Sequence, residues 1–313
     1  MNWRLKAAIQ NAIALLPGPL SQRVYYAMQR RFGGLRSPAV EDKLRQGVEV
    51  AERVEANGAT VVGARVLEVG TGRRLGLPLA LWLQGAERVT TVDLNPYLRA
   101  ELVHEDLLQM RDQRARVESL LGRRLVPGRL DALLALADGF SLERLCGTCA
   151  IDYRSPADAA ALDLADGAID LHVSYEVMEH IPGPVLEAIL GEAARLLRPG
   201  GLAVHCIDLT DHFSHSDPGI GPLNFLRFGE RGFRLLAGNG FMYMNRLQVD
   251  DYDAIWARTG LVVRERLAEP DPNVAAALAA GAIPLAPRFA GKPPGVLAVL
   301  RAWYVGAAGG DRR

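Results

Sequence analysis

The chain has 313 residues, 49% of them hydrophobic and 23% charged, enough to bury a large core and typical of an ordinary soluble globular protein. Lys+Arg and Asp+Glu both total 36, so no net field recruits nucleic acid or an anionic membrane, although a local basic patch remains allowed. No apolar run reaches the ~20 residues needed to span a bilayer, and Gln10 and Asn11 interrupt what would be a signal-peptide core, so a cytoplasmic protein is expected.

Residues 1–60 read as a helical cap that ends at the Asn57-Gly58 stop, suited to covering an active site or touching a membrane surface. A buried strand is expected at 65–69, then a glycine turn at Gly70–Gly72, a helix over 76–84 and a second strand at 89–93. Asn95-Pro96 should open the next helix, and the charged stretch 98–148 should hold two helices joined near Val126-Pro127-Gly128. Strands follow at 147–153, 168–174 and 202–207, with an amphipathic helix over 185–197 and a turn at Arg198–Gly201. Residues 209–247, rich in Gly, Pro, His, Phe and Asn, break the pattern and read as an inserted substrate loop. A helix at 249–259, a strand near 261–266, a Pro/Ala-rich linker, a last strand at 295–305 and a short disordered tail complete the chain. Seven strands alternating with helices predict an α/β fold with a doubly wound, mostly parallel sheet. The units are then a cap at 1–60, a core at 61–208, the insertion at 209–247 and the rest of the sheet at 248–313.

The turn after the first strand is the first chemical clue. A glycine turn lets a nucleoside-bearing ligand approach the backbone, and Asp93 at the next strand tip is placed to accept ribose hydroxyls. A nicotinamide site needs a third glycine at position 75, which is Leu75; glycine appears only at Gly76. Cys146 and Cys149 have redox-pair or half-zinc spacing, but no second Cys/His pair lies at zinc-finger distance. They read as small buried residues entering a strand, with a reactive trio including Cys206 as the alternative.

Three further stretches carry a family resemblance. Asp158-Ala159 through Asp166-Gly167-Ala168-Ile169-Asp170 resembles the methyltransferase run G-D-A-x-x-L-P-F-x-D-G-S-F-D. Ser174-Tyr175-Glu176-Val177-Met178-Glu179-His180-Ile181 resembles S-x-x-V-L-E-H-V, and Leu196-Leu197-Arg198-Pro199-Gly200-Gly201 resembles L-L-K-P-G-G. Together with the glycine turn they cover roughly residues 64–208 and resemble the Rossmann-like (class I) methyltransferases that use S-adenosylmethionine (SAM). Arg73 and Arg74 depart from that pattern, standing where a small residue and a glycine are usual. The resemblance implies that Glu68, Gly70, Thr71 and Gly72 line the methionine end of SAM, with Glu176 at the same rim. It places Asp93 on the ribose, Leu94 against adenine, and Asp158 and Ala159 on the adenine edge. One of the two arginines would meet the SAM carboxylate, or both would face solvent. Demethylated S-adenosylhomocysteine would be the product.

The acceptor side is expected at the fourth and fifth strand tips and in the insertion. His205, Cys206, Asp208, Asp211, His212, His215 and Asp217 make a cluster of imidazoles, carboxylates and a thiol. His212 or His215 could be a general base oriented by Asp208 or Asp211; the spacing His212-x-x-His215 could hold a divalent cation; or the loop is simply hydrogen-bonded. No metal is assigned. His180 is a further candidate base. The phrase Asp208-x-x-Asp211-His212-Phe213, with Asn224–Phe228 and Asn245-Arg246, resembles a bacterial methyltransferase subgroup with such an insertion. Tyr175, Arg227, Tyr243, Asn245 and Arg246 are the candidate substrate contacts, the arginines as an anion clamp and Glu176 as a partner for an ammonium. Phe213 and Phe228 are candidate pocket walls. The reading is methyl transfer to a small polar metabolite: O-methylation of a sugar or hydroxylated intermediate first, N- or S-methylation of an amino-acid-like molecule second, a SAM-binding regulator third. Nucleic-acid partners are not expected, and self-association into a homodimer is left open.

Overall fold

The computed structural model describes residues 1–309; the expected C-terminal tail lies, from Gly310 on, outside them. Strands β1 (Arg65–Val69), β2 (Arg88–Val92), β3 (Ile151–Arg154), β4 (Ile169–Tyr175), β5 (Leu197–Asp208), β6 (Leu261–Leu267) and β7 (Arg301–Ala308) form one sheet in the order β3-β2-β1-β4-β5-β7-β6. The first five are parallel, and β7 runs antiparallel between β5 and β6. The order reverses between β1 and β4, and in an open α/β sheet that crevice at the strands' carboxyl ends is where ligands bind.

Helices α1 (Trp3–Ala14), α2 (Gly18–Phe32) and α3 (Val40–Ala56) precede the sheet. The last packs against α4 (Gly76–Leu83), every residue of which is buried, as expected of a helix apolar all round. The two central strands β1 and β4 are buried almost end to end because helices cover both sheet faces. Two large clusters make up the core, one gathered around α4 and α5 (Ala100–Asp112), the other around α9 (Gly183–Leu196) and β7.

Local sequence misleads at four places. Asn95-Pro96 opens no helix: both residues are exposed and α5 starts at Ala100, because Asp93 ties its carboxylate to the Asn95 N–H in a turn. The stretch 98–148 holds α5, α6 (Arg114–Leu121), α7 (Arg129–Leu134) and α8 (Leu142–Thr148) rather than two helices, with Gly122 and Gly128 at positive φ breaking the run. Strand β3 therefore begins only at Ile151, and Cys146 lies in α8 with Cys149 capping it. The linker before the last strand carries α12 (Pro272–Ala279) and two single turns, so β7 starts at Arg301 and not at 295.

The insertion is not a bare loop. It includes α10 (Glu230–Ala237), and Phe213, Phe225 and Phe233 pack with Trp3 of α1 and Phe289 into a third cluster. Phe213 and Phe228 both lie against the Trp3 ring, at 5.6 and 5.7 Å, so they are core and not pocket wall. After the insertion the chain enters α11 (Val249–Trp256) and β6. No helix among the described residues is long and apolar enough to cross a membrane.

Candidate active site

A cleft of about 300 Å³ opens at the carboxyl ends of β1 and β4, lined by Glu68, Gly70, Thr71, Gly72, Arg73, Arg74, Tyr175, Glu176 and Val177, with Lys43 of α3 opposite. Its floor depends on the glycine turn. Gly70 sits at φ +92, where its N–H reaches the Val92 carbonyl at 2.8 Å; a Cβ there would lie 2.6 Å from the Val177 side chain. Glycine is required on both counts. Gly72, at φ +66, donates its N–H to Asp93 at 2.9 Å and so ties the turn to the tip of β2.

Glu68 is 4% exposed beneath this turn and accepts the Thr91 hydroxyl, which in turn meets Thr71 at 2.6 Å. Burial pushes its carboxyl up to about 7, against the pull of the Thr91 bond and the Lys43 charge. Such a group changes charge readily when a cation arrives beside it. Asp93 is raised by burial too, partly offset by its bonds from Asn95 and Gly72. Each of its oxygens accepts one backbone N–H and keeps a lone pair for a ribose hydroxyl.

The two arginines do not both face solvent: they line the rim of the cleft. Arg74 is buried against Asp106 and Glu105 of α5, and Arg73 lies over the rings of Tyr26 and Tyr97, at 5.3 and 4.9 Å. They fasten α5 and the N-terminal helix α2 to the rim of the cleft. Leu94 is 69% exposed at the end of β2, free to meet a ligand ring. Asp158 is exposed and accepts the Ala160 N–H at 2.9 Å, an Asx-type turn that also buries Ala159.

Beside the cleft, at the tips of β4 and β5, a second group of polar side chains converges. Glu176 turns the chain out of β4 through a left-handed conformation, φ +55, costly for a residue with a side chain and typical of functional turns. A single 3-10 turn, Met178–His180, then presents Glu179 and His180. From the end of β5, Asp208 faces His212 Nε2 at 3.1 Å and His215 Nε2 at 3.4 Å. The His180 and His212 rings stand edge to face, 4.9 Å apart, and Glu179 Oε1 lies 4.0 Å from His212 Nε2. Burial pulls the Asp208 carboxyl up, but the His212 contact and two bonds from Thr210 outweigh it and hold the group below its ordinary value. Glu179 is driven well above the carboxylate range by burial, with the charges of Asp208 and Glu176 adding to the rise and the backbone N–H groups of Glu179 and Asp208 opposing it.

Other sequence candidates are placed elsewhere. His205 and Cys206 lie within β5 and are fully buried; His205 bonds Ser174 at 2.8 Å and His172 at 3.1 Å, and burial keeps both imidazoles neutral. Asp211 braces the insertion through Phe213 N–H and Asn224, and Asp217 accepts the Trp3 N–H. Arg246 is 3% exposed, donates to the Phe225 and Phe228 carbonyls and to Glu230, and stacks on Phe233 at 4.1 Å. Its donors are spoken for, so it clamps the insertion and not a substrate; Arg227 points outward. Asn245 grips the Met178 and Ile181 carbonyls and the Glu179 carbonyl, fixing the turn that carries Glu179 and His180. Tyr175 donates to Glu49 at 2.6 Å and Glu176 pairs with Arg301 at 2.9 Å. Tyr243 offers its carbonyl to His180 and leaves a half-exposed ring at the edge of the cluster. Cys146 and Cys149 are pushed up by burial, to about 11 and about 12, so both are unreactive thiols.

The switch-point cleft, its glycine turn and the acidic strand tip agree with one family model: residues 42–265, well over half the chain, match the methyltransferase domain family. The chain belongs to this family. It is an enzyme of the SAM-dependent methyltransferase class, and SAM is its cofactor. No curated protein sequence matches it. Among solved structures it is similar to a putative sarcosine dimethylglycine methyltransferase from Galdieria sulphuraria, at 16% identity and TM-score 0.44, over 85% of this chain and 86% of that one. It is also similar to the geranyl diphosphate C-methyltransferase of Streptomyces coelicolor, at 12% identity and TM-score 0.45, over 84% and 77% of the two chains.

Sequence reasoning passed over Glu179, although it lies inside one of the motifs. The available signal was a carboxylate flanked by Met178 and Ile181, an apolar setting for a charge. Lys43 and Tyr26 carried no local signal, since they reach the cleft only through the packing of α3 and α2.

Proposed function

We propose that this methyltransferase transfers the methyl group of SAM to a hydroxyl of a small, polar metabolite, a sugar or similarly hydroxylated intermediate. One observation supports the reading above others: a carboxylate–imidazole group, Asp208 with His212 and His215, stands beside the donor cleft. Val177, which touches Gly70 of that cleft, is two residues from Glu179 of the same cluster. Displacement at a sulfonium methyl needs an in-line nucleophile and exclusion of water, so positioning supplies much of the rate. An alcohol must also lose its proton, which is the service a carboxylate-backed imidazole provides. Amines and thioethers need less, and the residues that would recognise an amino-acid-like acceptor, Arg246 and Glu176, are already engaged within the protein.

In this reading Asp93 and the Gly70–Gly72 turn hold the nucleoside and methionine portions of SAM, with Asp158 and Ala159 near adenine. Asp208 holds the imidazoles in the orientation that accepts a proton. The test is a panel of hydroxylated, amine and thioether metabolites incubated with the enzyme and SAM, scored by mass gain of one methyl. Methylation confined to amines or thioethers overturns the assignment.

A further inference from the structure

We propose that Glu179, His180 and His212 bind one divalent transition cation, of the Zn²⁺ or Mn²⁺ type. One potential ligand atom from each lies within 4.8 Å of the other two, although the residues come from separate loops at the ends of β4 and β5. Metal–ligand bonds of about 2.1 Å would bring such atoms to roughly 3–3.5 Å apart, so side-chain adjustments of about 1 Å close the site.

Glu179 is the decisive residue. It is 2% exposed, and its carboxylate meets no side-chain donor, only backbone N–H groups of Glu179 and Asp208 that fall short of well-formed hydrogen bonds. A buried carboxylate so poorly supplied with donors is costly, and a cation supplies the charge and coordination that those two backbone N–H groups do not. Its Oε1 is directed at the cluster, 4.0 Å from His212 Nε2.

His180 supplies a second, independent sign. Its Nδ1 lies 2.8 Å from the Tyr243 carbonyl, and a carbonyl can only accept, so Nδ1 carries the hydrogen and the neutral ring keeps its Nε2 lone pair free. That is the arrangement by which ligating histidines are oriented. Asn245 under the 178–181 turn gives outer support to Glu179 and His180. Two imidazoles and one carboxylate suit Zn²⁺, Mn²⁺ or Fe²⁺ better than Mg²⁺ or Ca²⁺, which prefer all-oxygen sets. The exposed side of His180 leaves coordination positions open to a small molecule.

The consequence for catalysis rests on the O-methylation reading; the binding itself does not. A coordinated acceptor hydroxyl would lose its proton more readily, with His215, half exposed and sharing Asp208, passing it to solvent. The oxygen–methyl bond then forms as the methyl–sulfur bond breaks, and S-adenosylhomocysteine departs.

The experiment is calorimetric titration of ZnCl₂, and separately MnCl₂, into the full chain after treatment with chelator. The expected result is one ion per chain, with affinity reduced at least tenfold in Glu179→Gln and in His180→Ala, and S-adenosylhomocysteine affinity kept in both. Should Glu179→Gln not fold, the exposed His180→Ala carries the test. Absence of uptake by the wild-type chain, or unchanged affinity in the variants, overturns the proposal. Full hydroxyl methylation by the ion-free enzyme, without uptake, removes the cation and leaves O-methylation standing. Stoichiometric uptake without methylation of any hydroxyl does the reverse.

Discussion

The donor cleft and the acceptor cluster lie side by side at the carboxyl edge of one sheet, yet they are built differently. The cleft's floor comes from two consecutive strand–turn units carrying Glu68 and Asp93, and the turn after β4 and Lys43 of α3 complete its walls. The cluster is assembled from two loops and held by residues of a third: Asn245 lies 64 residues beyond the turn whose carbonyls it grips. Backbone-made sites tolerate side-chain change around them, whereas a side-chain cluster of this sort fails when one support is lost. Under the proposed function the donor half is the general part of the enzyme, and the acceptor half carries this chain's specificity.

The largest effect that would sharpen this contrast is catalytic. His212→Ala should lower kcat by about 10²–10⁴-fold, the range for loss of acid–base assistance, with the SAM dissociation constant unchanged. Stopped-turnover assays beside calorimetry measure both, and equal damage to SAM binding would erase the division between the halves. Next comes the scaffold of the insertion. Arg246→Ala strands the Phe225 and Phe228 carbonyls and should destabilise the fold by about 2–4 kcal/mol, read by urea unfolding. A loss within the ordinary surface range would show that Arg246 is not the clamp described.

On the donor side, Asp93→Ala should raise the SAM dissociation constant at least tenfold, about 1.4 kcal/mol, by removing a charge-assisted ribose contact. Unchanged affinity would move the nucleoside elsewhere. The smallest effect concerns pH. Free Glu68 holds its proton up to about pH 7. A cationic donor favours the ionised form, so affinity is weak while the group is protonated and strengthens as pH rises through 7. Between about pH 6 and about pH 8 the gain should be about tenfold, and Glu68→Gln should flatten it. A pH-independent wild-type affinity would place the charge of SAM away from Glu68.

The alternation of apolar strands and helices and the glycine turn were legible as local pattern, and the family motifs added the order of the elements. The failures have physical causes. The Asn95-Pro96 helix start lost to a carboxylate-capped turn, and the long connection split because glycines at positive φ interrupt it. Arg246 read as a substrate clamp because an arginine among aromatics has the same composition in a core as in a pocket; only burial distinguishes them. Glu179 went unassigned because its burial and its approach to His212 exist only in the fold.

By itself the sequence determined the order of strands and helices and the glycine turn, because periodicity and glycine placement are properties of neighbouring residues; the reaction class came through the motifs' resemblance to a known family. The tertiary structure alone decided which polar side chains meet at the tips of β4 and β5, since those contacts join loops that share no local signal and are set by how the insertion packs on Trp3 and Phe289.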